Sequence, residues 1–272
     1  MAGLYQKLSA TISESDIESM EYHMANTILE HDEEVAKMTI AEVATLCSVS
    51  KSTLSKFVRM LGFEDYKDFK AEVFRHREKE IYIKGRDTIN ITDYVVQNGC
   101  NKYIDILFKD IKCTVCNWDY KKFDELIDDL HKYKNIGTFG DFYSEAAAIN
   151  LQYKMSFYHK KLYTTTNDRK QAYYIENAKE DTLIIVFSNS GRYITNYYNL
   201  EGHPQKKCFD KTLAKVVLLT SNQDMEKDPR VDLCIHWKYN ENVQNHPFIY
   251  QLIIEHIAVC YQEKYGFPDE LR

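Results

Sequence analysis

The sequence of 272 residues contains no apolar run that approaches the roughly 18 residues needed to span a membrane. Its first stretch, MAGLYQKLSATISESD, lacks the basic start and the long apolar segment of a signal peptide. The seven cysteines, an odd number at irregular spacing, do not form the pattern of a disulfide framework. These absences argue against a membrane protein and a disulfide-stapled secreted protein, and they predict a cytoplasmic location.

The chain also lacks a strong overall charge bias, with 28% charged residues and a net charge of −6. A mildly acidic total does not exclude nucleic acid as a partner, because a local basic face can dominate docking. One Cys-x-x-Cys motif, Cys113 and Cys116, has no second Cys or His pair at zinc-site spacing. We therefore interpret its members as two ordinary thiols, and we expect neither a metal nor a cofactor.

Two parts of the chain differ in their hydrophobic pattern. Residues 1–80 have helical periodicity and few glycines; Ile17, Met20, Met24 and Ile28, for example, fall on one helical face. From about residue 95, helical patterns alternate with the short β-rich runs NIGTFG, KLYTTT, TLIIVF, KVVLLT and LCIHW. That alternation is typical of a parallel sheet wrapped by helices. The predicted organisation is a helical domain over 1–80, a linker over 81–95 and an αβα domain over 96–272.

Within the helical part, TIAEVATLCSVSKSTLSKFVRMLGF has the pattern of two helices joined by a tight turn. Thr39, followed three residues later by Glu42, is the signature of a capping box at the start of the first helix. The second helix has an apolar stripe at positions i, i+3, i+4 and i+7, and Ser50 is well placed as its N-cap. The stripe consists of Leu54, Phe57, Val58 and Leu61.

The opposite face of the second helix carries hydroxyls and cations, and no carboxylate occurs between Cys47 and Phe63. A helix that enters the major groove of DNA must avoid anions and benefits from short hydroxyls and long cations. An ordinary solvated face is the alternative, but the combination of capping box, turn and complementary stripes favours DNA binding. The predicted DNA-binding residues are Thr39, Ser50, Lys51, Ser52, Thr53, Ser55, Lys56 and Arg59.

This stretch, continuing through LGFEDYKDFKAEVF, resembles the N-terminal domain of the RpiR-type transcriptional regulators over about residues 4–78. The sequence departs from that family at Ser48, where a turn glycine is usual. A left-handed backbone at a residue other than glycine would cost roughly 1–2 kcal/mol, which the domain can tolerate. The resemblance implies a helix-turn-helix domain followed by a sugar isomerase (SIS) domain, and regulation of carbohydrate metabolism genes.

Two strand–loop–helix stretches in the second part support the SIS expectation independently, because strand ends that meet helix N-termini favour anions. By resemblance the first loop, GDFYS, corresponds to Gly-x-Gly-x-Ser, and the second, SNSGRY, to Ser-x-Ser-Gly-x-Thr. Phe142 replaces the second glycine of the first loop, and Tyr193 replaces the threonine of the second. The predicted effector-binding residues are Gly140, Ser144, Ser188, Asn189, Ser190, Gly191, Arg192 and Tyr193.

These replacements leave three interpretations open. Phe142 adds a side chain where the backbone normally approaches the ligand, and Tyr193 is expected to fill volume that a sugar phosphate would use. The retained hydroxyls and Arg192 still suit an anion. The site is therefore predicted to bind a phosphorylated sugar, another small ligand, or only to support the fold, with Ser190 as a turn or N-cap serine.

An enzyme is the alternative to a regulator. Aldose–ketose isomerisation needs a general base, and five candidates occur in the second part: His203, His236, His246, Glu255 and His256. Nothing in the sequence fixes any of them in a site, so no catalytic residue is predicted. The resemblance further implies a homodimer or higher oligomer, whose two helix-turn-helix domains would match a palindromic operator in double-stranded DNA. A SIS domain that serves only for oligomerisation is a further alternative.

Overall fold

The computed structural model describes residues 4–73, 90–141, 143–197, 205–238 and 243–267. They form two compact units: the first contains residues 4–73, and the second contains most of the residues from 90 onward. The greater part of the predicted linker, residues 81–89, lies outside the described residues. No helix in the described ranges is long and apolar enough to cross a bilayer.

The first unit is entirely helical over its described residues. Its helices are α1 (Leu4–Glu14), α2 (Met20–Glu30), α3 (Asp32–Val35), α4 (Ile40–Leu46), α5 (Lys51–Met60) and α6, described over 66–73. Each helix contributes apolar side chains to one shared core, among them Leu8, Met24, Val43, Leu54 and Phe69. The short loops allow this because consecutive helices can pack as neighbours.

The predicted apolar face of α2 is correct only in its second half. Met24 and Ile28 are buried, whereas Ile17 and Met20 are largely exposed. Helix α2 begins at Met20, because the side chain of Ser19 accepts a hydrogen bond from the backbone amide of Tyr22 and caps it. Ile17 precedes that cap and therefore lies outside the helical periodicity.

The second unit opens with the helices α7 (Ile91–Asn98), α8 (Cys100–Cys116) and α9 (Tyr120–Lys132). Strands then alternate with helices. In chain order these elements are β1 (Asn135–Gly140), α10 (Tyr143–Ser156), β2 (Leu162–Tyr163), α11 (Asp168–Asn177), β3 (Thr182–Phe187), α12 (Arg192–Thr195), α13 (Cys208–Lys211), β4 (Lys215–Thr220), β5 (Leu233–His236) and α14 (His246–Tyr265).

The five strands form one parallel sheet in the order β2-β1-β3-β4-β5. Helices cover both faces: side chains of α9, α10 and α14 share one core with the sheet, and side chains of α11 and α13 share the other. The predicted αβα fold is confirmed. The connection after β1 leads to β2 on one side, and the connection after β3 leads to β4 on the other. The strand order therefore switches between β1 and β3, and such a point is where ligands gather in open α/β sheets.

The helix predicted after β3 is present but short. Helix α12 has only four residues, and Asn196 then pairs with Gln205 in an antiparallel bridge. Thr195 lies at the end of this turn, and its hydroxyl donates to the carbonyl oxygen of Arg192 at 3.1 Å. Such local side-chain bonds, together with the low helix propensity of tyrosine, isoleucine and threonine, favour an early end.

Candidate functional site

The α4–turn–α5 segment begins with the predicted capping box, which the structure confirms. The backbone amide of Thr39 donates to a carboxylate oxygen of Glu42 at 2.6 Å, and the amide of Glu42 donates to the Thr39 hydroxyl at 3.4 Å. These hydrogen bonds from Thr39 lower the pKa of Glu42, the backbone bond having the largest effect. The Thr39 hydroxyl donates to Glu42 as well. Its side chain is thus engaged in fixing the start of α4.

The turn between the two helices is left-handed at Ser48, whose φ is 55°. The amide of Ser48 donates to the carbonyl of Thr45 at 3.0 Å, and the amide of Val49 donates to that of Ala44 at 2.9 Å. This is the geometry in which a helix usually ends on glycine. Serine adopts it here at a cost of roughly 1–2 kcal/mol, which the turn's hydrogen bonds and the packing of α4 against α5 offset.

Helix α5 is fixed at its start by a cluster of hydroxyls. The Ser50 hydroxyl accepts from the amide of Thr53 at 3.1 Å, so the predicted N-cap is confirmed. It also lies 2.8 Å from the hydroxyls of both Ser52 and Thr53. Three hydroxyl groups therefore meet at the end of the helix where the dipole favours a negative partner.

The two faces of α5 differ completely. Leu54, Phe57 and Val58 are buried in the core of the first unit. Lys51, Ser52, Lys56 and Arg59 are exposed, while Thr53 and Ser55 are half-buried. Among the described residues, none holds Lys56 or Arg59 in an ion pair. The structure brings all the predicted DNA-binding residues of α5 to one accessible surface.

In the second unit, the loop after β1 makes a very close approach to α10. A Cβ atom added at Gly140 would lie 2.6 Å from the carbonyl carbon and the Cβ of Ser144. Ser144 is buried, its amide donates to the carbonyl of Asp141, and its hydroxyl lies 3.0 Å from that of Tyr250. Phe142, the predicted alteration in this loop, lies outside the described residues.

The loop after β3 lies beside the first loop because Gly140 and Phe187, the last residues of β1 and β3, are in register. The buried hydroxyl of Ser188 accepts from the amide of Tyr193 at 3.2 Å. Gly191 has a φ of 76°, and an added Cβ would lie 2.4 Å from Cγ of Met225. Both retained glycines thus serve close approach within the protein itself.

The remaining predicted effector residues lie partly inside the fold. Tyr193 is buried, its hydroxyl donates to Gln171 at 2.6 Å, and the ammonium group of Lys206 lies 3.2 Å from the centre of its ring. Its side chain therefore belongs to the core below the loop. Ser190 and Arg192 are exposed, and the Arg192 amide lies 3.5 Å from the Ser190 hydroxyl.

Sequence reasoning missed Tyr250, which the fold brings to both loops. Its ring is buried against Phe187, Trp237 and His246, and its hydroxyl contacts that of Ser144. Burial raises the pKa of Tyr250, and hydrogen bonds from the Ser144 side chain and from the backbone of Asn189 oppose this rise. In the sequence this tyrosine lies within the apolar run of α14, 106 positions from Ser144, and no local pattern connects the two.

His246, at the start of α14, is buried between the rings of Tyr143 and Tyr250, each with its centroid 5.6 Å away. Within the described part of the chain, its Nδ1 atom has no hydrogen-bond partner. Burial lowers its pKa from 6.5 to about 4. The imidazole is therefore neutral at physiological pH.

This depressed pKa predicts a loss of stability in mild acid. The unfolded chain protonates His246 near pH 6.5, whereas the folded chain does so only near pH 4, so the free energy of unfolding should fall by about 3 kcal/mol across that window. Urea titrations at pH 7 and pH 4 check this. The His246→Asn variant should lose much less stability in acid than the wild type, whereas His23→Asn, on an exposed position of α2, should lose as much. Equal losses in wild type and His246→Asn would contradict the assignment.

Residues 5–79 match the family model described as "Helix-turn-helix domain, rpiR family". The chain is 23% identical over 246 residues, 89% of this chain and 83% of the relative, to an uncharacterized HTH-type transcriptional regulator of Providencia stuartii. Among solved structures, the Vibrio vulnificus NanR protein complexed with ManNAc-6P aligns with a TM-score of 0.51 at 16% identity, covering 97% of this chain and 92% of that chain. The E. coli CFT073 protein c3406 aligns with a TM-score of 0.50 at 13% identity, covering 61% of this chain and 89% of that chain. These structural likenesses show the fold.

Proposed function

We propose that this chain, which belongs to the RpiR-type transcriptional regulators, binds operator DNA through α5 and senses a sugar phosphate at the carboxyl ends of β1 and β3. The proposal assigns the exposed face of α5 to the DNA and the two loops of the second unit to the effector. As a DNA-binding regulator the protein would act in the cytoplasm.

The exposed face of α5 carries the DNA part of the proposal. It presents Lys51, Lys56 and Arg59 without a carboxylate, and its opposite face is fully engaged in the core. Lysine and arginine at these positions can reach phosphates or guanine edges, while the hydroxyls at the start of α5 allow close approach. We further propose a homodimer on a palindromic operator, whose half-sites would lie about 34–36 Å apart.

The effector part rests on the second loop. Its backbone turns sharply at Gly191, and the exposed Ser190 hydroxyl and Arg192 side chain lie beside it at the strand end. Hydroxyls, amides and an arginine suit a phosphate group. That the NanR structure contains ManNAc-6P supports a phosphorylated sugar as the class of effector for this chain.

We propose no catalytic activity, and the described histidines support this. A general base should have a pKa near the operating pH, whereas burial lowers that of His246 to about 4. The ring of His256 packs in a tilted arrangement against that of Trp118, with 4.3 Å between the centroids, and Nδ1 of His236 lies 3.2 Å from a carboxylate oxygen of Glu226. His203 lies outside the described residues. We expect no turnover of hexose, pentose or amino-sugar phosphates by the full chain.

A thermal-shift titration of the full chain tests the effector assignment. Phosphorylated sugars should raise the melting temperature, their unphosphorylated counterparts should not, and Ser190→Ala should reduce the rise several-fold because one charge-assisted hydrogen bond is lost. Ser9→Ala, an exposed serine of α1, is the control and should respond as the wild type does. If unphosphorylated sugars raised the melting temperature equally, the effector would belong to another class of ligand.

A further inference from the structure

We propose that Tyr250 fills the inner half of the effector cradle and thereby confines an anion to the outer half. Its hydroxyl takes up the two groups, the Ser144 hydroxyl and the Asn189 amide, that would otherwise reach an oxygen of the ligand. We define the inner half by these two groups and the outer half by Ser190 and Arg192. The inference rests on the effector site proposed above and specifies how that site limits its affinity for a phosphate.

The geometry places one phenolic oxygen between the two loops. The Tyr250 hydroxyl lies 3.0 Å from the Ser144 hydroxyl at the start of α10. Burial raises the pKa of the Tyr250 hydroxyl, and hydrogen bonds from Ser144 and from the backbone of Asn189, in the loop after β3, lower it. Only 7% of Ser144 and 1% of Tyr250 is exposed. Proteins bind a phosphate oxygen with groups of this kind, a hydroxyl and a backbone amide that both point at it. Here the oxygen belongs to the protein.

The Asn189 amide is held toward Tyr250 from behind. The carbonyl oxygen of Asn189 accepts from the hydroxyls of Thr220 and Ser221 at 3.0 and 2.8 Å, and from the Ser221 amide at 2.9 Å. These three donors at the end of β4 hold Asn189 in place. The peptide group that carries the Asn189 amide is held through its own carbonyl, that of Ser188, which accepts from the Gly191 amide at 3.0 Å.

The Tyr250 ring is equally fixed. It packs edge-on against Phe187 and Trp237, at centroid distances of 5.3 and 5.5 Å, and against His246. Interiors packed in this way resist the rotation of a large ring. An anion therefore meets a closed inner half, and only removal of the phenolic oxygen releases the Ser144 hydroxyl and the Asn189 amide.

The outer half lies at the protein surface. Ser190 and Arg192 are exposed, and the loop that carries them is steadied where the side-chain amide of Asn222 donates to the Ser190 carbonyl at 3.1 Å. A phosphate bound there would contact the Ser190 hydroxyl and the Arg192 side chain, without help from Ser144.

Isothermal titration of the full chain with inorganic phosphate and with ManNAc-6P tests the inference. Tyr250→Phe keeps the ring but frees both groups, so it should bind phosphate about tenfold more tightly than the wild type. The added change Ser144→Ala should reduce that gain. Tyr261→Phe, which removes another buried hydroxyl of α14, one bonded to His131, should bind as the wild type does.

The results separate this inference from the effector proposal. Tighter binding by Tyr250→Phe supports the inference even where the wild type binds no phosphate, a result that would overturn only the effector proposal. Wild-type binding that Tyr250→Phe does not strengthen overturns the inference and leaves the effector proposal standing. Absence of binding by both proteins overturns both.

An NMR titration of the wild type tests the inference without any variant. In an amide NMR titration with inorganic phosphate, the resonances of Ser190 and Arg192 should move, while that of Asn189 should stay, because its amide remains bonded to Tyr250. A large shift of the Asn189 resonance would show that the anion enters the inner half, and it would overturn the inference.

Discussion

The double variant Lys56→Ala/Arg59→Ala should bind operator DNA roughly 100-fold more weakly than the wild type at fixed salt, because each lost cation contact costs about 1–3 kcal/mol. Both side chains are exposed on the same face of α5 and belong to no ion pair among the described residues. Their removal therefore breaks no contact of the fold. The melting temperature should change little.

Fluorescence anisotropy with an operator fragment selected from random-sequence DNA measures this effect. Lys37→Ala/Lys67→Ala is the matched control, since it removes two exposed cations of the first unit that lie outside α5. The slope of log affinity against log salt should flatten by about two units in the α5 variant if both residues contact phosphates. Equal weakening in the two double variants would show that overall charge, rather than α5, governs binding.

The sequence predicts this surface well because all its determinants are local. The capping box, the cap at Ser50 and the stripe of α5 lie within about two dozen residues. Each is formed by neighbours in the chain: Thr39 bonds to Glu42, and Ser50 to Thr53. Short-range patterns of this kind follow directly from helical periodicity. Even the departure at Ser48 corresponds to a left-handed residue.

Other features depend on local hydrogen bonds and burial, which compete with helical periodicity and are not described by it. Ile17 follows the helical spacing of Met24 and Ile28, but the cap at Ser19 places it before the helix. The loop after β3 resembles the start of a long helix, yet a single turn forms, and Tyr193 turns into the core to reach Gln171. Local hydrogen bonds and burial decided these cases.

The role of Tyr250 in the inner half of the cradle is the feature that the sequence predicts least. The loops themselves were predicted from resemblance and from the strand–loop–helix pattern, and the sheet brings them together as expected. Tyr250 joins them only because α14 packs over the end of β3, where its ring contacts Phe187. That contact is set by the packing of the whole second unit, so no local pattern could predict it.

Gly140→Ala should destabilise the second unit by about 3 kcal/mol, and so lower its melting temperature by roughly 6–12 °C. The added Cβ would lie 2.6 Å from the carbonyl carbon of Ser144 and 2.7 Å from its carbonyl oxygen. These are backbone atoms, and no flexible side chain can yield in their place. Helix α10 must therefore move away from the end of β1.

Denaturant unfolding of the full chain, monitored through a spectroscopic signal of the second unit, measures this loss of stability. Ser144→Ala serves as the comparison, because it removes the hydroxyl that contacts Tyr250 while leaving the backbone of α10 in place. That variant should lose only about 1–2 kcal/mol, the consequence of one unsatisfied buried hydroxyl. The additional loss of stability in Gly140→Ala, beyond that in Ser144→Ala, then reports the displacement of α10.

The comparison also decides how the cradle depends on Gly140. If α10 moves, the Ser144 hydroxyl leaves Tyr250 and the inner half of the cradle loses its geometry. The outer half does not use Ser144, so Gly140→Ala should still bind phosphate through Ser190 and Arg192. A Gly140→Ala protein as stable as the wild type would mean that β1 and α10 lie farther apart than in this structure. The contact between Ser144 and Tyr250 would then lack the close approach on which it depends.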